Sequence, residues 1–451
     1  MTQTPKALRL HIGIFGRTNT GKSSFLNLIT GQETAIVSPV AGTTTDVVQK
    51  SMELLPIGPV TFLDTAGIND TSELGAQRVK KTLLALNSCD VALLMLECGI
   101  WTDAEEELVN TCANQKTPLI LIINKSDLSP PSSVKFQDFK NKIKTLHREH
   151  PVMEISCTEA HNNWEERERV ISTFKKLLLR VAPESLLGPA GILGDLLPKI
   201  GLPLVVLIVP IDIEAPKGRL ILPQVQTIRD ALDSRAAVVV VKETDYPDLL
   251  TKLISPPDLV ICDSQVAGLM VKNTPEGIPC TTFSILFSRF KGDIVTLAKG
   301  AARLAMLKKG DRVLIAEACT HHAVEDDIGR VKIPRWIQEY IGFDLNIDHC
   351  AGKDYPENIA DYTLIIHCGA CTLTRREMLW RIDQTLRAKM PDITNYGIAI
   401  SVLQGVIERT LSPFPQALIA YKDATIAYKA ATKANTSATQ KAATRECEKA
   451  T

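Results

Sequence analysis

Residues 16–23, Gly-Arg-Thr-Asn-Thr-Gly-Lys-Ser, fit the spacing G-x-x-x-x-G-K-S/T between an apolar strand run and an apolar helix run. Glycines at those positions let backbone N–H groups curl round phosphate oxygens at a helix amino end, and the lysine brings charge to the β and γ phosphates. Gly16, Asn19, Thr20, Gly21, Lys22, Ser23 and Ser24 are therefore the expected phosphate-loop residues, with the Ser23 hydroxyl a ligand for Mg2+. Asp64-Thr65-Ala66-Gly67 ends a second apolar run, where Asp64 can hold Mg2+ through water and the Gly67 N–H can meet a γ-phosphate. Asn124-Lys125-Ser126-Asp127 ends a third, and the Asp127 carboxylate can accept from guanine N1–H and N2–H2 together. Adenine would leave that carboxylate unpaired, at a cost of roughly 1–3 kcal/mol. Ser156-Cys157-Thr158 completes the expected base pocket. A chance glycine turn explains the first motif alone; four motifs in order, each at a strand end, read as a GTPase.

A second constellation lies far along the chain. Cys319-Thr320-His321-His322 follows "RVLIAEA", and His367-Cys368-Gly369-Ala370-Cys371 follows "YTLII". Such a cysteine pair on a turn can put both sulfurs on one metal ion or on neighbouring irons. A third sulfur from an adjacent strand end would leave one corner for another ligand. Three readings stay open on spacing alone: a structural zinc site, a redox dithiol at Cys368 and Cys371, and an iron–sulfur cluster. Glu317 and His322 are fourth-ligand candidates that spacing does not rank, and Cys350, after His349 at another strand end, is a candidate neighbour. Cys98, Cys112, Cys157 and Cys262 sit in or beside apolar runs and read as core residues, and Cys280 reads as structural.

Both sets need strand ends to hold them, and strand-like and helix-like segments alternate for most of the 451 residues. That alternation predicts an α/β fold: a P-loop GTPase domain with a mostly parallel sheet over 1–182, then smaller α/β blocks over 183–264 and 265–412. The middle block is too short to bury much surface alone and is expected to lean on a partner subunit. "APESLLGPAGILGDLLPKIGLP" reads as a linker, and 413–451, poor in large apolar residues, as a mobile tail. Equal numbers of basic and acidic side chains, 51 each, give no global field for nucleic acid or an anionic membrane. The longest apolar stretch, "GLPLVVLIVPIDI", is too short to span a bilayer. No charged-then-apolar leader is read, so a cytoplasmic address is expected, where the eleven cysteines bind metal or pack instead of forming structural disulfides.

The first 160 residues resemble the translation-factor-like GTPases of the Era and tRNA-modification branch. "PVAGTTTD", residues 39–46, is similar to that branch's first switch, which makes Thr44 the residue that would sense Mg2+ and the γ-phosphate. The expected catalytic set is then Lys22, Thr44, Asp64 and Gly67, with Ser23, Thr44 and Asp64 about Mg2+. Asn19 resembles a hallmark of potassium-activated members. By that likeness Asn19, Thr43 and the carbonyls near Ser38 and Val40 cradle a K+ that does an arginine finger's electrostatic work. Ile68 stands where Ras-like enzymes carry a water-orienting glutamine, so slow unaided hydrolysis is expected; Glu73 reads as a solvated helix-face charge in preference to a water-positioning acid.

With "APKGRLILPQVQTIRDALDS", "SILFSRFKGD" and the paired cysteine–histidine motifs added, residues 8 to 410 resemble the family of FeFe-hydrogenase maturation GTPases. The resemblance implies that the middle block dimerises, giving a homodimer or higher oligomer, and that the third binds a 4Fe-4S cluster through Cys319, Cys368 and Cys371. His321 and His367 would be labile ligands or outer donors. It further implies a GTP/GDP-binding scaffold and carrier for the di-iron subcluster precursor. Two radical-SAM maturases and apo FeFe-hydrogenase are the implied partners, with no nucleic acid and no membrane. The rival is a ribosome- or tRNA-linked GTPase with a structural zinc module. The neutral balance of charge and the lack of a GXXG-type RNA module after the switch domain weigh against it.

Overall fold

The computed structural model describes residues 9–31, 48–68, 82, 84–128, 132–182, 191–211, 218, 220–318, 327–352, 355–356, 358–386 and 390–431. The chain divides into two compact units, Met1–Pro189 and Ala190–Thr451.

The first unit is a six-stranded sheet of β1 (Leu10–Gly16), β2 (Val48–Leu54), β3 (Gly58–Asp64), β4 (Val91–Glu97), β5 (Leu119–Asn124) and β6 (Val152–Glu154). The order is β2-β3-β1-β4-β5-β6, with β2 antiparallel to β3 and the other pairs parallel. Runs such as "LILIIN" are buried along their whole length because helices cover both faces of the sheet. Ile12 and Ile14 pack with Phe25, Phe62 and Phe174 on one side; Phe15, Leu94 and Leu121 pack with Phe136 on the other. The rings of Phe25 and Phe174 meet edge to face at 5.4 Å, fixing helix Lys22–Thr30 against helix Trp164–Val181. Strand order reverses around β1, so the loops after β1, β3, β5 and β6 gather at one carboxyl edge.

The second unit holds two four-stranded parallel sheets. β7 (Leu204–Ile208), β8 (Ala237–Val241), β9 (Leu259–Cys262) and β10 (Cys280–Thr282) run in the order β10-β9-β7-β8. β11 (Arg312–Glu317), β12 (Asn346–Ala351), β13 (Leu364–His367) and β14 (Asp392–Asn395) run in the order β12-β11-β13-β14. One apolar core joins them, from Val205 and Leu207 through Phe283 and Phe287 to Ile315, Ile366 and Ile398.

Three expectations about this region are corrected. The boundary placed at 264/265 falls inside the first of these sheets, whose fourth strand is the three-residue "CTT" at 280–282, too short to read as a strand. The stretch read as a linker contributes Ile192, Leu193 and Leu197 to the core. The chain beyond 413 is no mobile tail over its first part: residues 415–431 are helical, Phe414, Ala417 and Ala424 are buried, and Tyr428 Oη donates to Asp392 at 2.7 Å. Alanine and tyrosine at helical spacing cover that face, with few large aliphatic residues to signal it. Among the described residues no helix is long and apolar enough to cross a membrane.

Candidate functional site

β1 delivers the phosphate loop. Gly21, at φ 95°, is in the left-handed region, and a Cβ there would lie 2.2 Å from Asn124 Nδ2. Buried Lys22 donates to the carbonyls of Gly16 (3.0 Å) and Arg17 (2.8 Å), so its ammonium already lies within the loop. Burial lowers its pKa to about 8, against an upward pull from Asp64. Thr20 Oγ1 donates to the Arg17 carbonyl at 2.9 Å, Ser24 is half-buried in the first helical turn, and Asn19 is exposed at the crest with φ 64°.

Ser23 Oγ donates to Asp64 Oδ2 at 2.7 Å, while Asp64 Oδ1 is buried with no hydrogen-bond partner among the described residues. Burial holds the Asp64 carboxyl above its ordinary pKa, opposed by the bond from Ser23 and the charge of Lys22. A hydroxyl beside an orphaned carboxylate oxygen fits Mg2+, which takes oxygen ligands of this kind. Gly67 presses on the loop, since a Cβ there would meet Thr18 Oγ1 at 2.3 Å, and the next N–H, of Ile68, donates to the Gly16 carbonyl. The turn after β3 is thus tied to the phosphate loop.

At the base end, Asn124 Nδ2 donates to the Thr20 carbonyl (2.9 Å) and its Oδ1 accepts from Cys157 N–H (3.1 Å). One side chain joins the loops after β1, β5 and β6. Ser156 Oγ donates to Asp127 Oδ1 at 2.7 Å and accepts from Glu159 N–H, which holds the carboxylate in place. Lys125, at φ 61°, reaches Glu97 at 2.6 Å. Cys157 serves through its backbone; its thiol is buried as core and pushed up to about 12. Ser38, Val40, Thr43, Thr44 and Glu73 lie outside the described residues.

The cysteine pair sits in the second unit, where β11 and β13 run side by side with Ala316 opposite His367. Cys368 N–H donates to the Ala316 carbonyl (2.9 Å), and Ala318 N–H donates to Cys368 Sγ (3.0 Å). Cys368 and Cys371 are half-buried and line a chamber of about 240 Å3 with Glu317, Ser284 and Tyr396. Cys319 follows Ala318 directly, but Cys319, His321 and His322 lie outside the described residues. Among the described residues no three His, Cys, Asp or Glu side chains are grouped to hold a metal ion. Two sulfurs facing a chamber, one accepting a backbone N–H, form a donor set that fits thiolate ligation of an iron–sulfur cluster.

Register sets two candidates apart from the chamber face. His367 and Cys350 both pair with Ala316 and so share the sheet face opposite Cys368 and Glu317. His367 is fully buried, with Nδ1 2.9 Å from the Cys368 carbonyl and Nε2 2.9 Å from Arg381 Nη1. Burial, with the Arg381 charge, pushes its pKa down to about 3, so Nε2 accepts from Arg381 and Nδ1–H donates to the carbonyl. Both nitrogens are used, and His367 braces the turn from behind, in the outer-donor position of the two expected for it. Glu317 does face the chamber, 3.6 Å from Arg330 Nε and 3.4 Å from Tyr396 Oη.

Sequence reasoning missed Lys291. Its ammonium, 1% exposed, donates to the carbonyls of Ala370, Cys371 and Leu373. Burial lowers its pKa to about 8, opposed first by Cys371 and then by Cys368. The signal was present: Phe283, Phe287 and Lys291 recur at four-residue spacing, which puts the lysine on the buried face of its helix.

Three family models match in order: a 50S ribosome-binding GTPase over residues 11–125, the hydrogen maturase F dimerization domain over 192–292, and the hydrogen maturase F tetramerization domain over 295–413. The chain is 32% identical over 193 residues to GTPase Der of Wolinella succinogenes, covering 41% of this chain and 40% of Der. It is 38% identical over 148 residues to the tRNA modification GTPase MnmE of a Picosynechococcus species, covering 31% of this chain and 32% of MnmE. It therefore spans less than half the length of either relative. A crystal structure of Aquifex aeolicus Era bound to GDP and AlF4− has a TM-score of 0.34 at 28% identity, covering 38% of this chain and 56% of that chain. Carrying a GTPase domain followed by both hydrogen maturase F domains, the chain belongs to the hydrogen maturase F family.

Proposed function

We propose that the chain is a GTP-hydrolysing scaffold and carrier that holds a 4Fe-4S cluster on Cys319, Cys368 and Cys371 and passes a di-iron subcluster precursor to apo FeFe-hydrogenase. The observation that carries this reading is the placement of Cys368 and Cys371 on one chamber, at the strand end next to Ala318. In the first unit, Lys22 meets the β and γ phosphates, and Ser23 and Asp64 hold Mg2+ against them. The base is selected by Asp127, which Ser156 keeps in position. Asn19, Thr43 and carbonyls near Ser38 and Val40 supply a K+ cradle; the exposed, left-handed Asn19 at the loop crest supports it. When bound, the cluster supplies iron–sulfur redox and ligand-exchange chemistry. The chain's own residues shape its surroundings: Glu317 and Tyr396 wall the chamber, and His367 and Lys291 hold the turn. The homo-oligomer receives the precursor from radical-SAM maturases, and nucleotide state times docking or release of these partners.

Anaerobic reconstitution with iron and sulfide tests the reading. A brown protein with a reducible, EPR-active cluster is expected, and Cys368→Ser should abolish it while leaving GTP binding intact. Colourless protein with tightly held zinc would favour a structural site. Turnover should be well above that in Na+ when K+ is present, and equal rates would remove the cradle.

A further inference from the structure

We infer that Lys291 is the positioning residue of the cysteine turn: its ammonium stands where three backbone carbonyls of that turn converge, and it arrives on a helix rooted in the neighbouring sheet. The turn passes through a left-handed residue, Ala370 (φ 54°), and then presents the carbonyls of Ala370, Cys371 and Leu373 to one buried point. Lys291 Nζ meets them at 2.5, 2.8 and 3.0 Å. Three carbonyl dipoles aimed at one dry spot repel each other unless a cation lies between them, so the turn closes because the ammonium is there. Neutral donors in that place would satisfy fewer of the three oxygens.

The lysine is fixed from its own side. Helix Phe283–Lys291 begins directly after β10, where Thr282 Oγ1 accepts from Ile285 N–H at 3.2 Å. Lys291 is its last residue, and Arg375 just beyond the turn donates back to the Phe290 carbonyl. At the other end of the helix, Ser284 Oγ accepts from Asn395 Nδ2 (3.0 Å) and Gly397 N–H (3.2 Å), at the end of β14. The helix therefore spans from the strand that completes the first sheet of this unit to the sulfur-bearing turn of the second. The family boundary between dimerization and tetramerization domains falls just past it, at residues 292 and 295. Lys291 makes the cysteine turn of one domain depend on a side chain of the other.

The inference rests on the cluster reading only for what the turn is for, and its primary test uses the full chain without iron. Lys291→Met and Lys291→Arg are compared with the parent by iodoacetamide alkylation of Cys368 and Cys371, read by mass spectrometry, and by peptide-level hydrogen exchange. The Met variant should alkylate at Cys371 about tenfold faster or more and lose protection in peptides covering 364–375, with peptides of β7 and β8 unchanged. The Arg variant, which keeps a cation, should recover most of the protection. Reconstituted with iron, the Met variant should give a lower midpoint potential that the Arg variant restores, because a buried positive charge beside the sulfurs stabilises the reduced cluster. Should Lys291→Met not accumulate as folded protein, Lys291→Gln is read in the same way. Unchanged alkylation, or protection lost evenly over the whole of 191–431, overturns the assignment. Failure to bind iron with these thiol results intact would overturn the cluster reading instead.

Discussion

At the scale of single residues, Lys22 makes the nucleotide site sensitive to mildly alkaline pH. Its ammonium is buried in the phosphate loop with two carbonyl acceptors, and burial brings its pKa to about 8. Phosphates bind the charged form and raise that pKa in the complex. Because the bound pKa exceeds the free one, affinity is complete below pH 8 and falls as pH rises through it. Fluorescent GDP titrations should show about a fourfold weakening between pH 7 and 8.5, a window chosen to precede ionisation of guanine N1. A flat profile there would mean that the loop stays open enough to keep Lys22 hydrated. Asp64 adds the opposite sign at the acid end: its raised carboxyl pKa means that Mg2+ and protons compete for the same oxygen at low pH.

At the scale of elements, the phosphate loop and base motifs were legible because each is a fixed local spacing at the end of an apolar strand, and register with neighbouring strands then had little freedom. The Cys368–Cys371 turn was legible for the same reason. What surrounds it was not, because it depends on register between strands far apart in the sequence. His367 and Cys368 are adjacent residues of opposite faces, and only the pairing of Ala316 with His367 shows which face carries the chamber. The helix after the turn makes this testable without metal. Thr374, 2% exposed, caps helix Arg375–Thr385 by accepting from Glu377 N–H at 3.1 Å, and Glu377 in the first turn complements the helix dipole. Thr374→Ala should cost about 1 kcal/mol. By calorimetry that should lower the transition of the second unit by about 2–4 °C, with the transition of the first unit unmoved. An equal drop in both would mean that the two units unfold as one.

At the scale of the whole molecule, nucleotide residues and oligomer surface belong to different units. All described residues of the nucleotide site lie between Gly16 and Cys157, within Met1–Pro189. The dimerization domain matched over 192–292 contains the sheet β10-β9-β7-β8, in which, among the described residues, β8 pairs only with β7. β8 reads "AVVVV" and none of its residues is fully buried; Val240 is 46% exposed. A β-branched, uncharged edge of this kind is what water-soluble sheets normally block with lysine, proline or a bulge. Here nothing of the sort is present in β8, so this edge is where a second copy of the chain is expected to pair. Val240→Lys places a charge on that edge at its most exposed position. Light scattering should then show the mass falling toward that of one 49.4 kDa chain, while GDP affinity stays within about twofold because the described nucleotide residues all lie in the other unit. An unchanged mass would move the self-association surface away from β8, leaving the exposed aliphatic residues of helix Leu222–Asp233, Val225 and Leu232, as the next edge of the same domain to test.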